Sequence, residues 1–260
     1  MKRFFNLLRL FGFDPGKTLR TLKGIPSYIR GMRLLKRQRK ASDISFRLGK
    51  LYPCFEDKYA ESGKGSGDYF HQDLLVARKI YNNKPELHVD IGSRIDGFVA
   101  HVASFRKIEV FDIREMKSSI PNITFTQADL MREIDERLIG FCDSLSCLHA
   151  LEHFGLGRYG DPVDFEGYLK GFDNLYKILK KNGKCYFSVP IGPQRIEFNS
   201  QRIFSVEYLL KLFEGKFRID TFSYIDDSGD LHEDVPITDA EVKDNYGCTT
   251  GCGVFELTKL

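Results

Sequence analysis

The chain has 260 residues, of which 42% are hydrophobic and 29% charged, a composition typical of globular proteins and not of disordered or fibrous chains. No apolar run approaches the ~20 residues of a membrane-spanning helix. None of the six cysteines forms a CxxC pair, which favours a cytoplasmic protein with reduced thiols over a secreted or zinc-binding one. The net charge of +3 hides an asymmetry, because residues 1–40 carry 12 Lys/Arg and one acid, Asp14. A basic arm on an acidic body indicates an anionic partner for the arm.

The basic arm is predicted to be helical. Its first helix is expected to have an apolar face formed by Phe4, Leu7, Leu8 and Phe11. A second basic stretch, Lys17 to Lys40, is predicted to be divided at Gly24-Ile25-Pro26. We therefore predict an amphipathic arm over residues 1–52 and one α/β domain over residues 53–260.

Strands and helices then alternate along the chain. The predicted strands are 87–91, 108–112, 122–126, 141–148, 184–189, 217–225 and 254–257, the last two as a hairpin. The predicted helices are 68–82, 97–104, 166–180, which Asn182-Gly183 stops, and one that Ser205 caps and that ends at Phe213. This alternation predicts a doubly wound, Rossmann-like α/β sheet of about seven strands with an antiparallel edge.

Acidic residues end three successive predicted strands, where ligands of such sheets bind. The first strand ends in Asp90-Ile91-Gly92, and Gly92 allows a tight turn and close approach of a ligand to the backbone. Asp112 ends the second strand, and an acid about 20 residues beyond a glycine turn can accept both hydroxyls of a ribose. Asp129 ends the third, where its side chain can reach an adenine amino group.

This series resembles the cofactor half of the class I S-adenosylmethionine-dependent methyltransferases. The resemblance implies that Gly92 borders the methionine part of S-adenosylmethionine, that Asp112 holds the ribose and that Asp129 holds the adenine. The chain departs from the family's pattern at Arg94 and Asp96, which stand in the second and third glycine positions. The full set of expected cofactor-binding residues is Asp90, Gly92, Ser93, Arg94, Asp112, Asp129, His71 and Gln72.

Four segments also resemble a narrower family, the methyltransferase-related domain-of-unknown-function family numbered 268. They are residues 68–73, 88–98, 146–161 and 187–192, and H-A-L-E-H-F-G-L-G-R-Y-G-D at 149–161 is the most specific. Bacterial members commonly accompany surface-polysaccharide biosynthesis genes, so the resemblance implies a sugar or glycan acceptor. The F-G-F-D-P of the arm also resembles the N-termini of glycan-linked members.

Methyl transfer to a hydroxyl needs alignment and a group that takes the hydroxyl proton. His153 and His149 follow the fourth strand, where the transferred methyl is expected, and each is a candidate base. On a helix they would share a face, and Glu152 or Asp161 is expected to orient one of them. The alternative is that Glu152 and His153 form a structural pair that shapes the pocket. No third ligand accompanies the two histidines, so no metal site is predicted.

Other polar residues lie on segments that should border the site. His71 and Gln72 are expected to cover the cofactor or the acceptor, or to cap their helix. A polyhydroxylated or anionic acceptor is predicted to bind Arg158, Tyr159, Gln194 and Arg195, although ordinary solvated surface is the alternative for each.

The sequence thus predicts an S-adenosylmethionine-dependent O-methyltransferase acting on a sugar hydroxyl in bacterial surface-polysaccharide (O-antigen or capsule) biosynthesis. The alternative is a catalytically inactive Rossmann-like scaffold that docks glycan-synthesis enzymes at the membrane. Residues 1–40 are expected to dock on the inner face of the membrane or on a glycosyltransferase, or to pack as a helix with solvated charges. Nucleic acid is disfavoured, because the acidic body repels phosphates.

Overall fold

A computed structural model describes residues 11–44, 46–55, 57, 62–63 and 65–260. The chain divides into two compact units, Met1–Lys64 and Gly65–Leu260. The apolar helix face predicted at Phe4, Leu7 and Leu8 lies outside the described residues. Within the described ranges, no helix combines the length and the hydropathy of a membrane-spanning segment.

The first unit contains one long basic helix, α1 (Pro15–Lys40), which carries nine Lys/Arg and no acid. Asp14 caps it, since its Oδ1 accepts a hydrogen bond from the Lys17 N–H at 3.0 Å. The predicted break at residues 24–26 is wrong, because the helix runs on through Pro26. No residue of α1 is buried, so the carbonyl that Pro26 leaves without an intrahelical donor can bond water.

The second unit is built on an eight-stranded sheet with the order β3-β2-β1-β4-β5-β10-β8-β9. Its strands are β1 (His88–Ile91), β2 (Ile108–Asp112), β3 (Ile123–Gln127), β4 (Cys142–Leu148), β5 (Leu179–Ile191), β8 (Phe217–Ile225), β9 (Leu231–His232) and β10 (Gly251–Lys259). The first five strands are parallel, and β10 runs antiparallel between β5 and β8. The predicted Rossmann-like fold class is confirmed, with β10 inserted beside β5 and the antiparallel pairs at one side of the sheet.

Helices cover both faces of this sheet. They are α2 (Asp68–Asn83), α3 (Ala100–Ala103), α4 (Gly167–Ile178), α5 (Val206–Phe213) and α6 (Asp239–Lys243). Side chains of α4 and α5, such as Phe172 and Phe213, pack in one buried cluster, while α2 and α3 contribute Ile80 and Val102 to a second. A separate hairpin, β6 (Arg195–Glu197) with β7 (Gln201–Ile203), follows β5.

Several predicted boundaries differ from the structure, and two of the predicted helices illustrate why. The helix predicted over 97–104 begins as a π-helical turn at Ile95–Val99, where Gly97 has non-helical angles, and continues as α3. The helix predicted over 166–180 ends at Ile178, and β5 begins at Leu179 instead of residue 184. The reason is that Leu179 is fully buried in an extended conformation, and the left-handed Asn182 (φ 63°) lies in a bulge within the strand and does not stop the helix.

Candidate functional site

A pocket of about 550 Å³, including its open mouth, lies at the carboxyl ends of β1 to β4. This is the edge at which ligands of open α/β sheets bind. The residues that line it are Ile91, Gly92, Phe111, Asp112, Ile113, Arg114, Ala128, Asp129, Leu130, Met131, His149, Ala150, His153, Phe154, Tyr159 and Asp161. The structure therefore brings the three strand ends and the two histidines singled out in the sequence into one cavity.

The carboxylate of Asp90 fixes the conformation of the loop after β1. This carboxylate is fully buried and accepts hydrogen bonds from the Ser93 N–H at 3.0 Å, the Ser93 hydroxyl at 2.8 Å and the Ser146 hydroxyl at 2.5 Å. Burial raises the pKa of Asp90 to about 7, although these hydrogen bonds oppose the rise. Asp90 and Ser93 thus shape the loop, whereas Gly92 (φ 73°) forms the pocket wall, where an added Cβ would lie 3.0 Å from Ala150 Cβ.

Asp112 ends β2 and carries a partner that the sequence did not reveal. Arg114 donates to both carboxylate oxygens, from Nε at 3.0 Å and from Nη2 at 2.5 Å. The same guanidinium lies over the Tyr159 ring, 4.6 Å from its centroid. Arg114 therefore covers the acid that was predicted to bind a ribose, and it crosses the pocket from β2 to the loop after β4.

Asp129 lies after β3 on the other side of the pocket. Its Oδ1 accepts a hydrogen bond from the Met131 N–H at 3.0 Å, and its Oδ2 lies 3.2 Å from Arg132 Nε. Leu130 and Met131 add apolar lining beside it. A carboxylate next to apolar walls can hold the amino edge of a flat ring whose faces pack on those walls.

Glu152 lies between the two candidate bases. It is fully buried, and its Oε1 is 3.2 Å from His149 Nδ1 and 3.6 Å from His153 Nε2. Neither contact is a well-aligned hydrogen bond, and within the described chain neither carboxylate oxygen of Glu152 has a hydrogen-bond partner. The segment is not the α-helix that a shared face would need, because His149 is left-handed (φ 48°) and residues 151–153 form a 3-10 turn. Both rings nevertheless face the same carboxylate oxygen.

The surroundings separate the pKa values of the two histidines. His153 Nδ1 lies 2.7 Å from the Ser200 carbonyl, which can only accept, so Nδ1 carries the hydrogen. Burial lowers the pKa of His153. Burial alone would also lower the pKa of His149, but contacts with Cys252 and Glu152 raise it well above its usual value. The Glu152 carboxylate therefore favours the charged form of His149, whereas burial favours the neutral form of His153, which has a lone pair on Nε2.

The loop after these histidines is folded around Asp161. Its Oδ2 accepts hydrogen bonds from the backbone N–H groups of Gly155 at 2.8 Å and Gly157 at 3.1 Å. Its Oδ1 accepts one from the backbone N–H of Tyr159 at 3.1 Å. The structure thus gives Asp161 backbone partners in place of the histidine it was expected to orient. The Tyr159 ring meets the edge of His153 at 5.4 Å between ring centroids.

Arg158 and Tyr159, both predicted to bind an acceptor, lie beside each other, and Tyr159 is the one of the two that lines the pocket. The Arg158 guanidinium is 5.2 Å from the Tyr159 ring centroid and donates to the Ser200 carbonyl at 3.0 Å. Gln194 and Arg195, predicted for the same role, border a separate shallow groove beside the β6–β7 hairpin. The four residues therefore do not line one pocket.

Five of the eight residues predicted to bind the cofactor lie outside the lining of the pocket, namely Asp90 and Ser93, described above, and the following three. Arg94 is exposed and donates to the Asp96 carboxylate at 3.0 and 2.8 Å. Gln72 is buried in α2, where its Oε1 accepts a hydrogen bond from the Ser188 hydroxyl at 2.7 Å. His71 is half-buried and packs edge-on against Phe70.

Arg202 in β7 supports the pocket, and sequence reasoning missed it. Its buried guanidinium donates to the carbonyl of Phe154 at 2.5 Å and to that of Phe165 at 3.1 Å, and it lies 4.8 Å from the Tyr168 ring centroid. It thereby ties the loop that carries His153 to the hairpin. A lone arginine in a three-residue strand gives no sequence signal for this role.

Replacing Arg202 with methionine is expected to lower the thermal midpoint, because it leaves buried carbonyls without donors, which costs about 1–3 kcal/mol per group. Arg218→Met is the matched control, since Arg218 lies in a strand but is 64% exposed. Thermal unfolding followed by circular dichroism measures both. Equal midpoints for the two variants would contradict the clamping role.

Comparisons with known proteins agree with this architecture. The family model described as "Caenorhabditis protein of unknown function, DUF268" matches residues 99–246, more than half of the chain. No curated protein matches the sequence.

Three solved structures illustrate the likeness of fold. The [4+2]-cyclase SpnF is 14% identical with a TM-score of 0.53, and the alignment covers 76% of this chain and 85% of SpnF. N-methyltransferase NodS from Bradyrhizobium japonicum WM9, in complex with S-adenosylhomocysteine, is 11% identical with a TM-score of 0.47, covering 74% and 88%. The 1,6-didemethyltoxoflavin-N1-methyltransferase of Burkholderia thailandensis, also with S-adenosylhomocysteine, is 14% identical with a TM-score of 0.48, covering 72% and 78%. At these identities the likeness concerns the fold alone.

Proposed function

The chain belongs to the DUF268 family, and we propose that it is an S-adenosylmethionine-dependent O-methyltransferase that modifies a sugar hydroxyl in bacterial surface-polysaccharide biosynthesis. The observation that carries the proposal is the single pocket into which Gly92, Asp112 and Asp129 all open. These residues end β1, β2 and β3, the positions that resemble the cofactor-binding positions of class I methyltransferases. The sugar acceptor rests on the family resemblance and on Tyr159 in the pocket lining, with Arg158 beside it.

The residues of the pocket fit the proposed cofactor. Gly92 leaves room for the methionine part, the Asp112 carboxylate can accept two ribose hydroxyls, and Asp129 can accept the adenine amino group between apolar walls. Arg114 occupies the Asp112 carboxylate, so ribose binding requires its guanidinium to turn away or to share one oxygen. The cofactor would supply a methyl group activated on a sulfonium.

The two histidines would have different roles in the methyl transfer. Nε2 of the neutral His153 would accept the proton of the acceptor hydroxyl when that oxygen receives the methyl group. The resulting imidazolium faces Glu152 at 3.6 Å, and this carboxylate stabilises the new charge. Nδ1 stays fixed on the Ser200 carbonyl, so the ring keeps its orientation throughout. Glu152 also holds His149, whose positive charge can stabilise the developing alkoxide.

The basic arm supports a location at the cytoplasmic face of the membrane. Helix α1 has nine cationic side chains, no acid and no buried residue. Each basic residue near an anionic bilayer contributes about 1 kcal/mol of attraction. We propose that residues 1–40 dock on this surface, and a glycosyltransferase with an acidic patch is the alternative partner.

Calorimetric titration of the full chain with S-adenosylhomocysteine tests the proposal first. Micromolar binding is expected, followed by transfer of a labelled methyl group when nucleotide sugars or lipid-linked glycans are added. Binding without transfer to any glycan would contradict the acceptor class. Absence of binding would contradict the proposed methyltransferase activity and favour the inactive scaffold. The partner of that scaffold could then be sought with an Asp112→Ala chain.

A further inference from the structure

Each of the two pocket histidines packs against a tyrosine. The Tyr69 ring lies 5.2 Å from the His149 ring, measured between centroids. The Tyr159 ring lies 5.4 Å from the His153 ring. Tyr159 lines the pocket, whereas Tyr69 lies outside the lining, in the first turn of α2. We propose that Tyr69 is an acceptor-binding residue whose ring packs on one face of the sugar. This assignment rests on the proposed function, because it names a residue for the acceptor of that reaction.

Tyr69 has surface and hydrogen-bonding capacity left for a ligand. The residue is 47% exposed, and its hydroxyl makes no hydrogen bond to any other residue that the structure describes. Burial of the remainder raises the pKa of Tyr69, so the hydroxyl keeps its proton at neutral pH and can donate a hydrogen bond. Aromatic walls with a few polar groups are typical of small-molecule sites. A sugar ring fits such a wall, because its faces carry C–H groups and its rim carries hydroxyls.

Arg94 holds the Tyr69 ring from the loop after β1. Its guanidinium lies 5.9 Å from the ring centroid and pairs with the Asp96 carboxylate at 2.8 Å. A cation beside an aromatic ring is attracted to it. The arginine that stands in a glycine position of the family's pattern is therefore a positioning residue for Tyr69 and not a wall of the pocket.

Charged groups of both signs surround Tyr69 and its two contacts. The basic groups are Arg94, Arg158 and His149, and the acidic groups are Asp68, Asp73, Asp96 and Glu152. Hydroxyls can accept hydrogen bonds from the basic groups and donate them to the carboxylates. The carboxylates would repel an anion, and an alkyl chain would desolvate all of these groups without replacing their hydrogen bonds. The surface beside Tyr69 therefore suits the sugar part of an acceptor.

A tryptophan reporter tests contact with a sugar independently of turnover, because the chain contains no tryptophan. With S-adenosylhomocysteine present, the emission of a Tyr69→Trp chain is expected to shift to the blue when UDP-glucose, GDP-mannose or maltotetraose is added. Tyr81→Trp is the matched control, since Tyr81 lies in a later turn of α2, is 59% exposed and packs on Phe105. Its emission should stay constant.

The outcomes of this test separate the inference from the proposed function. An unshifted Tyr69→Trp emission with all three saccharides would overturn the role of Tyr69, even if calorimetry showed that S-adenosylhomocysteine binds. Absence of S-adenosylhomocysteine binding would contradict the methyltransferase activity, whereas a shift with a saccharide would still support the sugar contact.

Steady-state methyl transfer to whichever of these saccharides is methylated measures the contribution of the ring. Tyr69→Ala is expected to raise the KM for the saccharide about tenfold, because an aromatic face no longer packs on the sugar. The kcat should change less, and affinity for S-adenosylhomocysteine should be unchanged. Tyr69→Phe keeps the ring and should retain most of the affinity, and Tyr81→Ala should match the wild type. A Tyr69→Ala chain with an unchanged KM, or with lost S-adenosylhomocysteine affinity, would overturn the assignment.

Arg94→Ala separates the positioning role from the cofactor role expected from the sequence. The KM for the saccharide should rise about two- to fivefold, the usual range of an exposed cation–aromatic contact, with unchanged affinity for S-adenosylhomocysteine. The same substitution should have no further effect in a Tyr69→Ala chain, because the two residues act through one contact. Reduced S-adenosylhomocysteine affinity, or effects that add in the double variant, would overturn the positioning role.

Discussion

An Asp112→Ala chain is expected to lose at least about 100-fold in affinity for S-adenosylhomocysteine while keeping its fold. The carboxylate would accept both ribose hydroxyls, and hydrogen bonds to a charged group contribute about 1.5–3 kcal/mol each. Asp112 is largely buried at the end of β2, so few water molecules can replace it. Calorimetric titration of the variant and the wild type measures the loss, and their melting temperatures report on the fold.

Arg114→Ala is the control that separates ribose binding from the ion pair. It retains the carboxylate but removes the guanidinium that occupies both of its oxygens at 3.0 and 2.5 Å. The ribose hydroxyls then bind without competition, so affinity should stay equal or rise. If both variants lost affinity equally, the ion pair would be a structural element of the pocket and Asp112 would have no ribose role.

The sequence predicted those parts of the site that depend on local order along the chain. Gly92, Asp112 and Asp129 follow hydrophobic strands directly, and parallel strands bring their carboxyl ends to one edge, so sequence position fixes spatial position. His149 and His153 follow the fourth strand in the same way. Their common contact with Glu152 is also local, although it arises from a left-handed residue and a 3-10 turn instead of a helix.

The parts that the sequence did not predict depend on side chains far apart in the chain. Arg202 donates to the carbonyl of Phe154, which lies 48 residues away in the sequence, and no pattern in a short polar strand predicts this contact. Gln72 was predicted to bind the cofactor. In the structure its buried amide oxygen accepts a hydrogen bond from the Ser188 hydroxyl, 116 residues away in the sequence. Such contacts are set by how the helices pack on the sheet, and periodicity carries no information about them.

The altered glycine loop shows how structure explains a departure in sequence. Arg94 and Asp96 stand where related loops have glycine, and here they bond to each other on the surface. The next residue, Gly97, packs closely on α2, since an added Cβ would lie 2.9 Å from Asp73 Oδ2.

Replacing His153 with alanine is expected to lower the rate of methyl transfer by about 10²–10⁴-fold, the usual contribution of a general base. Binding of S-adenosylhomocysteine should be nearly unchanged, because the imidazole acts on the acceptor proton. Single-turnover transfer of a labelled methyl group measures the rate, and calorimetry measures the binding. His101→Ala, which alters an exposed histidine of α3, should leave both unchanged. Wild-type turnover by the His153→Ala chain would contradict the assignment and leave the His153–Glu152 contact a structural pair.

The pH dependence gives a second test of the same base. Burial lowers the pKa of His153 below its ordinary value near 6.5, and only the neutral ring can accept a proton, so turnover should be level at neutral pH and fall as the pH drops through this lowered pKa. Glu152 opposes that lowering. In a Glu152→Gln chain the pKa of His153 should therefore fall further, and the acidic limb should move to lower pH while the maximal rate drops, because the imidazolium has lost its counter-charge. An acidic limb that stayed in place or moved to higher pH would mean that His153 is not the base, because loss of the Glu152 charge lowers the pKa of both neighbouring histidines.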